Sequence, residues 1–173
     1  MTTPAKQPSN KPFVTRMERR IIDGEGFLAF KLWEDVTANN KVFMRVQTPS
    51  DREVDLDMIA TSEGEGGSRI FEGNSYGGGG TTLSNINWNR RSLKTSSIVI
   101  QTYNTDSDIS STGSTIWQDY VAGNARGNQE IGGSVYAHGM PLAKDEDYLI
   151  ELENREGSAK DIFAKLSWEE PDA

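Results

Sequence analysis

The sequence predicts an all-β protein, a single jelly-roll-like antiparallel β-sandwich that follows an extended N-terminal arm. Apolar and polar residues alternate with a period of two in several segments, as expected for strands with one buried face and one wet face. Turn-forming residues separate these segments about every ten positions, which is typical of sandwiches and barrels. No segment carries a convincing helical apolar stripe longer than about two turns.

The first twenty residues differ in composition from the rest of the chain. They show no periodicity and place Pro4, Pro8 and Pro12 among polar residues, a pattern that favours an extended chain without a fold of its own. We therefore expect two parts, a flexible basic N-terminal arm at residues 1–20 and a β-sandwich domain at residues 21–173.

The expected strands begin after the arm with a continuous apolar run, FLAFKLW at residues 27–33. The next two strands, at residues 42–46 and 54–60, alternate clearly, and the second places Asp55 and Asp57 on its wet face. Further strands are expected at residues 69–72, 97–103 and 114–121 and in two runs near the C-terminus, which gives about eight.

The last quarter of the chain carries the strongest β signal. Residues 148–168 read YLIELENREGSAKDIFAKLSW, two strand-like runs around a polar turn at residues 154–158. A turn of this length and composition is typical of a hairpin, so the sequence predicts that the two runs pair with each other. The apolar residues of the second run lie on one face of the expected strand; they are Ile162, Ala164, Leu166 and Trp168.

Three glycine-rich segments, at residues 64–67, 77–80 and 104–140, separate the expected strands. Glycine permits positive φ and tight backbone excursions. Long loops in a compact domain are usually functional surfaces or insertions, so we expect these segments to be exposed loops. Residues 77–80 lack the lysine of a phosphate-binding loop and are interpreted as a flexible hairpin tip.

The composition allows one domain with a thin hydrophobic core. Leu, Ile, Val and Phe make up about one fifth of the 173 residues, the level below which charged chains tend to stay unfolded. The regular alternation, four Trp and five Tyr argue against disorder. A β-protein that gains stability by self-association or by docking on a partner reconciles these observations.

The residues that the chain lacks disfavour several function classes. Without cysteine there is no disulfide, no zinc–thiolate site and no thiol nucleophile. No apolar stretch is long enough for a signal peptide or a transmembrane helix, so we expect synthesis in the cytoplasm and no membrane partner.

The formal net charge of −8 is unevenly distributed, with +4 on residues 1–20 and −12 on residues 21–173. An acidic body repels phosphate groups, so we expect no nucleic-acid partner. A basic arm ahead of an acidic domain is interpreted as a tether that anchors the protein to a partner. The alternative is a disordered tail without a function. The candidate contacts of the arm are Lys6, Lys11, Arg16, Arg19 and Arg20.

No catalytic or metal-binding motif stands out. His138 is flanked by loop-like residues, and a surface role is favoured over a Ser-His-acid site. Residues 104–108 imitate the start of an EF-hand loop, but Ile109 stands where that loop needs glycine and Thr115 where it needs glutamate. We therefore expect no enzyme activity, no cofactor and no catalytic metal, with structural calcium left open.

Aromatic residues supply the remaining candidates. Trp33 and Trp168 lie in apolar strands and are expected in the core. Aromatic residues in polar, loop-like segments suit a protein interface about as well as a sugar-stacking site. The candidate loop interface consists of Tyr76, Trp88, Arg90 and Arg91.

Two stretches of the sequence resemble a known family. The C-terminal stretch fits the pattern YLI-x-L-x-N-x-x-G-S-A-x-D-I-x-x-x-L-x-W-x-E. The middle stretch reads RIFEG at residues 69–73, GTTL at 80–83 and NWNRRS at 87–92. Together, over roughly residues 69–100 and 145–170, they are similar to small auxiliary proteins of tailed bacteriophage heads, often described as cement or decoration proteins.

This resemblance implies a structural virion protein that is not an enzyme. Such a protein binds the outside of the phage head and clamps neighbouring major capsid subunits, here as a trimer or dimer with the arm laid on the capsid. The implied location is the capsid exterior. The competing hypothesis is a carbohydrate-binding or host-adhesion module that uses loops 73–90 and 104–140, and a hydrolase is the third.

Overall fold

The computed structural model describes residues 21–76, 78–121, 124–126, 129–131 and 133–170. Their regular secondary structure is almost entirely β, which confirms the predicted all-β class. The strands, in chain order, are β1 (Gly26–Val36), β2 (Lys41–Gln47), β3 (Val54–Ser62), β4 (Gly66–Glu72), β5 (Ser75–Tyr76), β6 (Thr81–Thr82), β7 (Ile86–Asn87), β8 (Val99–Tyr103), β9 (Ile109–Ser111), β10 (Ser114–Val121), β11 (Asn124–Arg126), β12 (Gln129–Ile131), β13 (Gly133–Leu142), β14 (Asp147–Asn154) and β15 (Lys160–Glu169).

The strands form two main antiparallel sheets, consistent with a β-sandwich. Sheet A has the strand order β13-β3-β15-β1-β7, and sheet B has the order β10-β4-β14-β2-β8-β6. Two small ribbons, β5–β9 and β11–β12, accompany them. A single 3₁₀ turn is described, at Asp106–Asp108, and no described helix is long and apolar enough to cross a membrane.

The long strands pair from the two ends of the chain inward. The first, β1, pairs with the last, β15, and β2 pairs with β14. In the same way β3 pairs with β13, and β4 pairs with β10. Each sheet therefore combines strands that are far apart in sequence, so the core forms only when both halves of the chain are in place.

The hydrophobic core lies between the two sheets. In β3, Val54, Leu56 and Met58 are buried and alternate with half-buried Asp55 and Asp57, which confirms the expected wet face of that strand. The expected core residues of the last strand are also confirmed, since Ile162, Leu166 and Trp168 are each at most 2% exposed.

The prediction of a C-terminal hairpin is wrong. Its two runs are the strands β14 and β15, but β14 belongs to sheet B and β15 to sheet A, and the turn between them crosses from one sheet to the other. Asn154 anchors this crossing, because its Nδ2 donates to the carbonyl oxygens of Val36 (2.7 Å) and Ser158 (2.9 Å). Turn composition encodes the reversal of the chain but not which neighbour each strand pairs with.

The prediction that residues 104–140 are an exposed loop is also wrong for much of this region. Beyond β10, which alternation predicts, this region contains β9, β11, β12 and β13, and β13 forms the edge of sheet A beside β3. Its glycine, serine and alanine residues have weak strand preference, so the pairing with β3 rather than local sequence makes this segment a strand. His138 therefore lies in a strand, at the irregularity between Ala137 and Met140.

Candidate functional site

The outer face of sheet B is covered by the chain itself. Four side chains on this face, Phe43, Phe71, Tyr103 and Leu149, form a second apolar cluster outside the sandwich core. The segments around β5 and β9, which pair with each other, lie over the cluster, and we call them the flap. The flap covers this cluster, while Val99 of β8 and Ile116 and Tyr120 of β10 remain exposed on the strands of sheet B.

Tyr76 is the flap residue that closes this cluster. Its ring stacks on Tyr103 with centroids 5.7 Å apart, and the Arg45 guanidinium lies 4.4 Å from the ring centre. Arg45 is held in turn by Asp147, with two nitrogen–oxygen distances of 2.8 and 2.9 Å. Burial raises the pKa of the Tyr76 hydroxyl, and the nearby Asp147 carboxylate adds to this rise, so the phenol stays protonated at neutral pH.

A buried carboxylate beside the flap is also structural. Glu151 is 2% exposed, and its two oxygens accept from Lys41 Nζ at 3.0 Å and Arg69 Nη1 at 2.9 Å. Both cations come from the strands on either side of β14. This charge is therefore compensated within sheet B and joins three strands.

The outer face of sheet A is open, in contrast to that of sheet B. Phe30 and Leu32 of β1 are 52% and 46% exposed, and Tyr136 of β13 is 51% exposed. Between them lie the half-buried residues Ile59 and Phe163, and the Phe30 and Phe163 rings are 6.3 Å apart. Exposed apolar side chains that lie close together on one face are a common feature of interaction sites, so this face is a candidate.

The surface is laid out by strand register. Tyr136 lies opposite Ile59, Ile59 opposite Lys165, and Lys165 opposite Phe30, so one row crosses four strands of sheet A. The next row includes Thr61, Phe163 and Leu32. We call these two rows, with the neighbouring Trp88, the sheet A surface, and it is our candidate functional site.

Trp88 borders this surface. Its ring is 38% exposed, its Nε1 donates to the Phe27 carbonyl oxygen at 3.1 Å, and Lys165 Nζ lies 5.9 Å from its centre. Arg90 and Arg91, which follow, are exposed. Tyr76 lies over sheet B, so the four loop-interface candidates do not form one surface.

The two asparagine residues on either side of Trp88 have structural roles. Asn87 Nδ2 donates to the Gly24 carbonyl oxygen at 2.9 Å, and Asn89 Nδ2 donates to the Ile22 carbonyl oxygen at 2.8 Å. The Asn89 carbonyl oxygen also accepts a hydrogen bond from the Ser92 backbone N–H at 2.9 Å. The two side-chain bonds fasten the segment before β1 to the rest of the domain. The arm candidates Lys6, Lys11, Arg16, Arg19 and Arg20 lie outside the described residues.

One polar group lies at the β13 end of the sheet A surface. His138 Nδ1 is 3.5 Å from an Asp57 carboxylate oxygen, and the His138 ring stacks on Tyr136 at 5.7 Å. The same Asp57 oxygen accepts from the backbone N–H of Gly139 at 2.7 Å. Within the described ranges no serine hydroxyl is hydrogen-bonded to His138, and no group of three or more acidic or histidine side chains could hold a metal ion.

Beside β1, the sandwich has an open edge. The neighbouring strand β7 pairs only with Phe27 and Leu28, so the rest of β1 has no strand on that side among the described residues. A groove of about 350 Å³ follows this edge, lined by Lys31, Trp33 and Glu34 of β1 and by Val42 and Asn104 below. Trp33 is 4% exposed, and its indole N–H has no acceptor in the part of the chain that the structure describes.

Sequence reasoning missed Phe30 and Leu32 as surface residues. The run at residues 27–33 is continuously apolar, which is typical of a strand buried on both faces. In the structure only Phe27, Ala29 and Trp33 of this run point into the core. One signal for their exposure was available in the sequence. The even positions of this run carry large apolar side chains, and a protein with a thin core has little room to bury both faces of a strand.

No protein-family model matches this chain, and no curated protein matches it as a relative.

Proposed function

We propose that this protein is a non-enzymatic structural protein of a phage virion that binds the outside of the head and cements contacts between major capsid subunits. The observation that carries the proposal is the open apolar sheet A surface, because such a surface is suited to burial against another protein. The residue patterns at 69–100 and 145–170, which resemble those of head decoration proteins, supply the setting.

We propose further that the sandwich is a jelly roll. Pairing of the first long strand with the last, the second with the last but one, and so on is what a long antiparallel ribbon wound into two sheets produces. Jelly rolls occur in viral capsid domains and also in lectin domains, so the fold supports both functions that we consider.

Attachment to the capsid would use two elements in this proposal. The sheet A surface supplies apolar area, and the basic residues Lys6 to Arg20 of the arm supply charge for an acidic or polar groove. Self-association multiplies weak contacts, since each further copy in an oligomer binds at a high effective concentration. The partners are the major capsid protein and other copies of this chain, not nucleic acid or membrane.

The test is binding to undecorated heads by co-sedimentation, together with the copy number of the protein on purified particles. We expect a copy number that matches the symmetry of the capsid lattice, and weaker binding by the variant Phe30→Ser. Leu93→Ser is the matched control, because Leu93 is 97% exposed and lies outside the sheet A surface. A few copies per particle, or heads that bind no protein, would reject the cement function.

A second function, a carbohydrate-binding or host-adhesion module displayed on the virion, is favoured by one observation. The exposed Tyr136 ring, stacked on His138 beside the Asp57 carboxylate, combines an apolar plane with hydrogen-bonding groups, as sugar recognition requires. Binding of a glycan array by the parent protein and its loss in Tyr136→Ala would support this function over capsid cementing.

A further inference from the structure

We propose that Arg90 and Arg91 are the charged rim of the sheet A surface, and that this surface binds a short protein segment whose carboxylates lie beside apolar side chains. The inference rests on the proposed function and deepens it, because it names the chemistry of the capsid segment that docks here. Its tests use synthetic peptides and need no capsid, so failure of cementing and failure of this inference are distinguishable.

The first argument is the charge of the segment that contains the two arginines. Residues 73–105 carry Arg90, Arg91 and Lys94 and no acidic residue, although residues 21–173 as a whole carry −12. Lys94 pairs with Glu25 at 3.3 Å. Arg90 and Arg91 are exposed, and among the described residues neither guanidinium forms an ion pair or a hydrogen bond. Their two positive charges are therefore available to a partner.

The second argument is that the backbone presenting these side chains is held in place. The side-chain oxygen of Asn87 accepts from the Asn89 N–H at 2.8 Å, and that of Asn89 accepts from the Arg91 N–H at 3.1 Å. Asn87 Nδ2 also donates to the Lys94 carbonyl oxygen at 3.1 Å, which ties the two ends of the loop together. A loop that is already ordered loses less entropy on binding, so its contacts contribute more to affinity.

The third argument is the position of the arginines beside exposed apolar side chains. Trp88, two residues before Arg90, is fixed on β1 by its backbone N–H, which donates to the Gly26 carbonyl oxygen at 3.0 Å. Lys165 Nζ lies 5.9 Å from the Trp88 ring centre, and Lys165 pairs in register with Phe30, so the apolar rows reach this corner. Interfaces commonly have an apolar centre and a polar rim, and Trp and Arg are among the residues that contribute most to their affinity.

The fourth argument selects a protein segment over a nucleic acid. A planar guanidinium group binds a carboxylate or a phosphate through two parallel hydrogen bonds. A nucleic acid, however, carries a phosphate at every nucleotide, and the β13 end of the sheet A surface holds the Asp57 carboxylate. A continuous polyanion would meet that carboxylate, whereas a short segment with its carboxylates at one end would not. The apolar rows between the two ends suit the apolar side chains of a peptide.

A titration of the full-length protein with synthetic peptides, followed residue by residue by NMR, tests the inference. The probe is a short peptide of alternating leucine and glutamate, and its control peptide has glutamine in place of glutamate. We expect saturable binding of the acidic peptide that shifts the signals of the Trp88 indole and of the Arg90 and Arg91 amides, with much weaker binding of the control peptide. Added salt should weaken the binding, since exposed ion pairs are screened.

Variants assign the two kinds of contact to their residues. Arg90→Gln combined with Arg91→Gln should weaken binding of the acidic peptide about tenfold or more, because both charge-assisted contacts are lost. Phe30→Ser should weaken it as well, since docking also uses the apolar rows. Lys144→Gln removes a positive charge at an exposed site in the turn after β13 and should leave the affinity unchanged. Circular dichroism and thermal melting confirm that each variant folds.

Four outcomes would overturn the inference. Equal binding of the two peptides would mean that carboxylates are not recognised, and the absence of saturable binding would mean that the surface takes no such segment. Binding of the acidic peptide that survives the double arginine substitution would belong to another basic part of the chain, such as residues 1–20. A single-stranded oligodeoxynucleotide that binds the same loop more tightly than the acidic peptide would identify a site for phosphate polymers instead.

Discussion

The carboxylate of Glu170 fastens the end of β15 to the segment before β8. It is 3% exposed and accepts from Trp168 Nε1 at 2.9 Å, from the Ser97 N–H at 3.0 Å and from the Ser97 hydroxyl at 2.6 Å, with Ser96 as a further donor. Burial by itself raises the pKa of this carboxyl, but the hydrogen bonds from Ser96, Ser97 and Trp168 outweigh burial and hold the pKa below its ordinary value.

This network gives a prediction for pH. Since the folded state lowers the pKa of Glu170, its carboxylate contributes stability above the ordinary value of 4.5, and that contribution is lost as the pH falls through the lower, folded-state pKa. Glu170→Ala should cost about 1–3 kcal/mol at neutral pH, because it leaves buried donors unpaired. Denaturant unfolding of the parent and Glu170→Gln between about pH 3 and 7 checks this. An unchanged pH dependence in Glu170→Gln would contradict it.

Trp168 gives the second prediction at this scale. It is 2% exposed, stacks on Phe27 with ring centroids 6.1 Å apart, and donates to Glu170. Trp168→Ala should cost about 3–5 kcal/mol, through the cavity that it leaves in the core. Trp88→Ala is the matched control and should cost clearly less, since that ring is 38% exposed. Equal melting temperatures for the two variants would refute the role of Trp168 in the core.

At the scale of elements, the flap over sheet B depends on a close approach that only glycine allows. A Cβ atom at Gly80 would lie 2.6 Å from Cζ of Tyr103, well inside van der Waals contact. The backbone after the 77–80 run therefore rests on the aromatic ring that the flap buries. Glycine at this position serves packing, beyond the flexibility of a hairpin tip that the sequence suggests.

Gly80→Ala should accordingly displace the flap and destabilise the protein by about 1–3 kcal/mol through overpacking. Hydrogen exchange should increase at β5 and β9, while the amides of β3 and β15 keep their protection. Gly157→Ala is the control, because a Cβ there meets nothing within 4 Å, and its stability should be unchanged or slightly higher. Unchanged exchange at β5 in Gly80→Ala would show that the flap does not rest on Tyr103.

At the scale of the whole molecule, charge separates the arm from the body. Residues 1–20 carry +4 against −12 on the rest, while the strands of both sheets lie within residues 21–170. Twenty extended residues reach at most about 65–70 Å, and ordering them costs about 1–2 kcal/mol per residue, so only a well-paired groove could hold them.

Deletion of residues 1–20 should leave the far-UV circular dichroism of the β-domain intact and sharply weaken attachment to heads. Binding of the full chain should weaken with salt if Arg16, Arg19 and Arg20 form ion pairs on the capsid. Co-sedimentation with undecorated heads at low and high salt checks both. Equal binding by the truncated protein would show that the arm is idle and that attachment belongs to the folded body.

Much of the fold follows from local pattern. Alternation in the second and third expected strands and in residues 161–168 identifies β2, β3 and β15, because period two and burial on one face are properties of a single strand. The same pattern places Trp33, Ile162, Leu166 and Trp168 in the core. It does not locate the candidate site, because exposure of Phe30 and Leu32 depends on whether another segment covers the outer face of sheet A.

The sequence by itself determined the β class, the buried face of most long strands and the uneven charge of arm and body. Only the tertiary structure decided that β14 and β15 join different sheets, that residues 133–142 form a strand, and that a flap covers an apolar cluster on sheet B while Phe30 and Leu32 on sheet A stay exposed. The physical reason is that alternation and turn composition are local, whereas strand partners are chosen by packing between segments far apart in the chain.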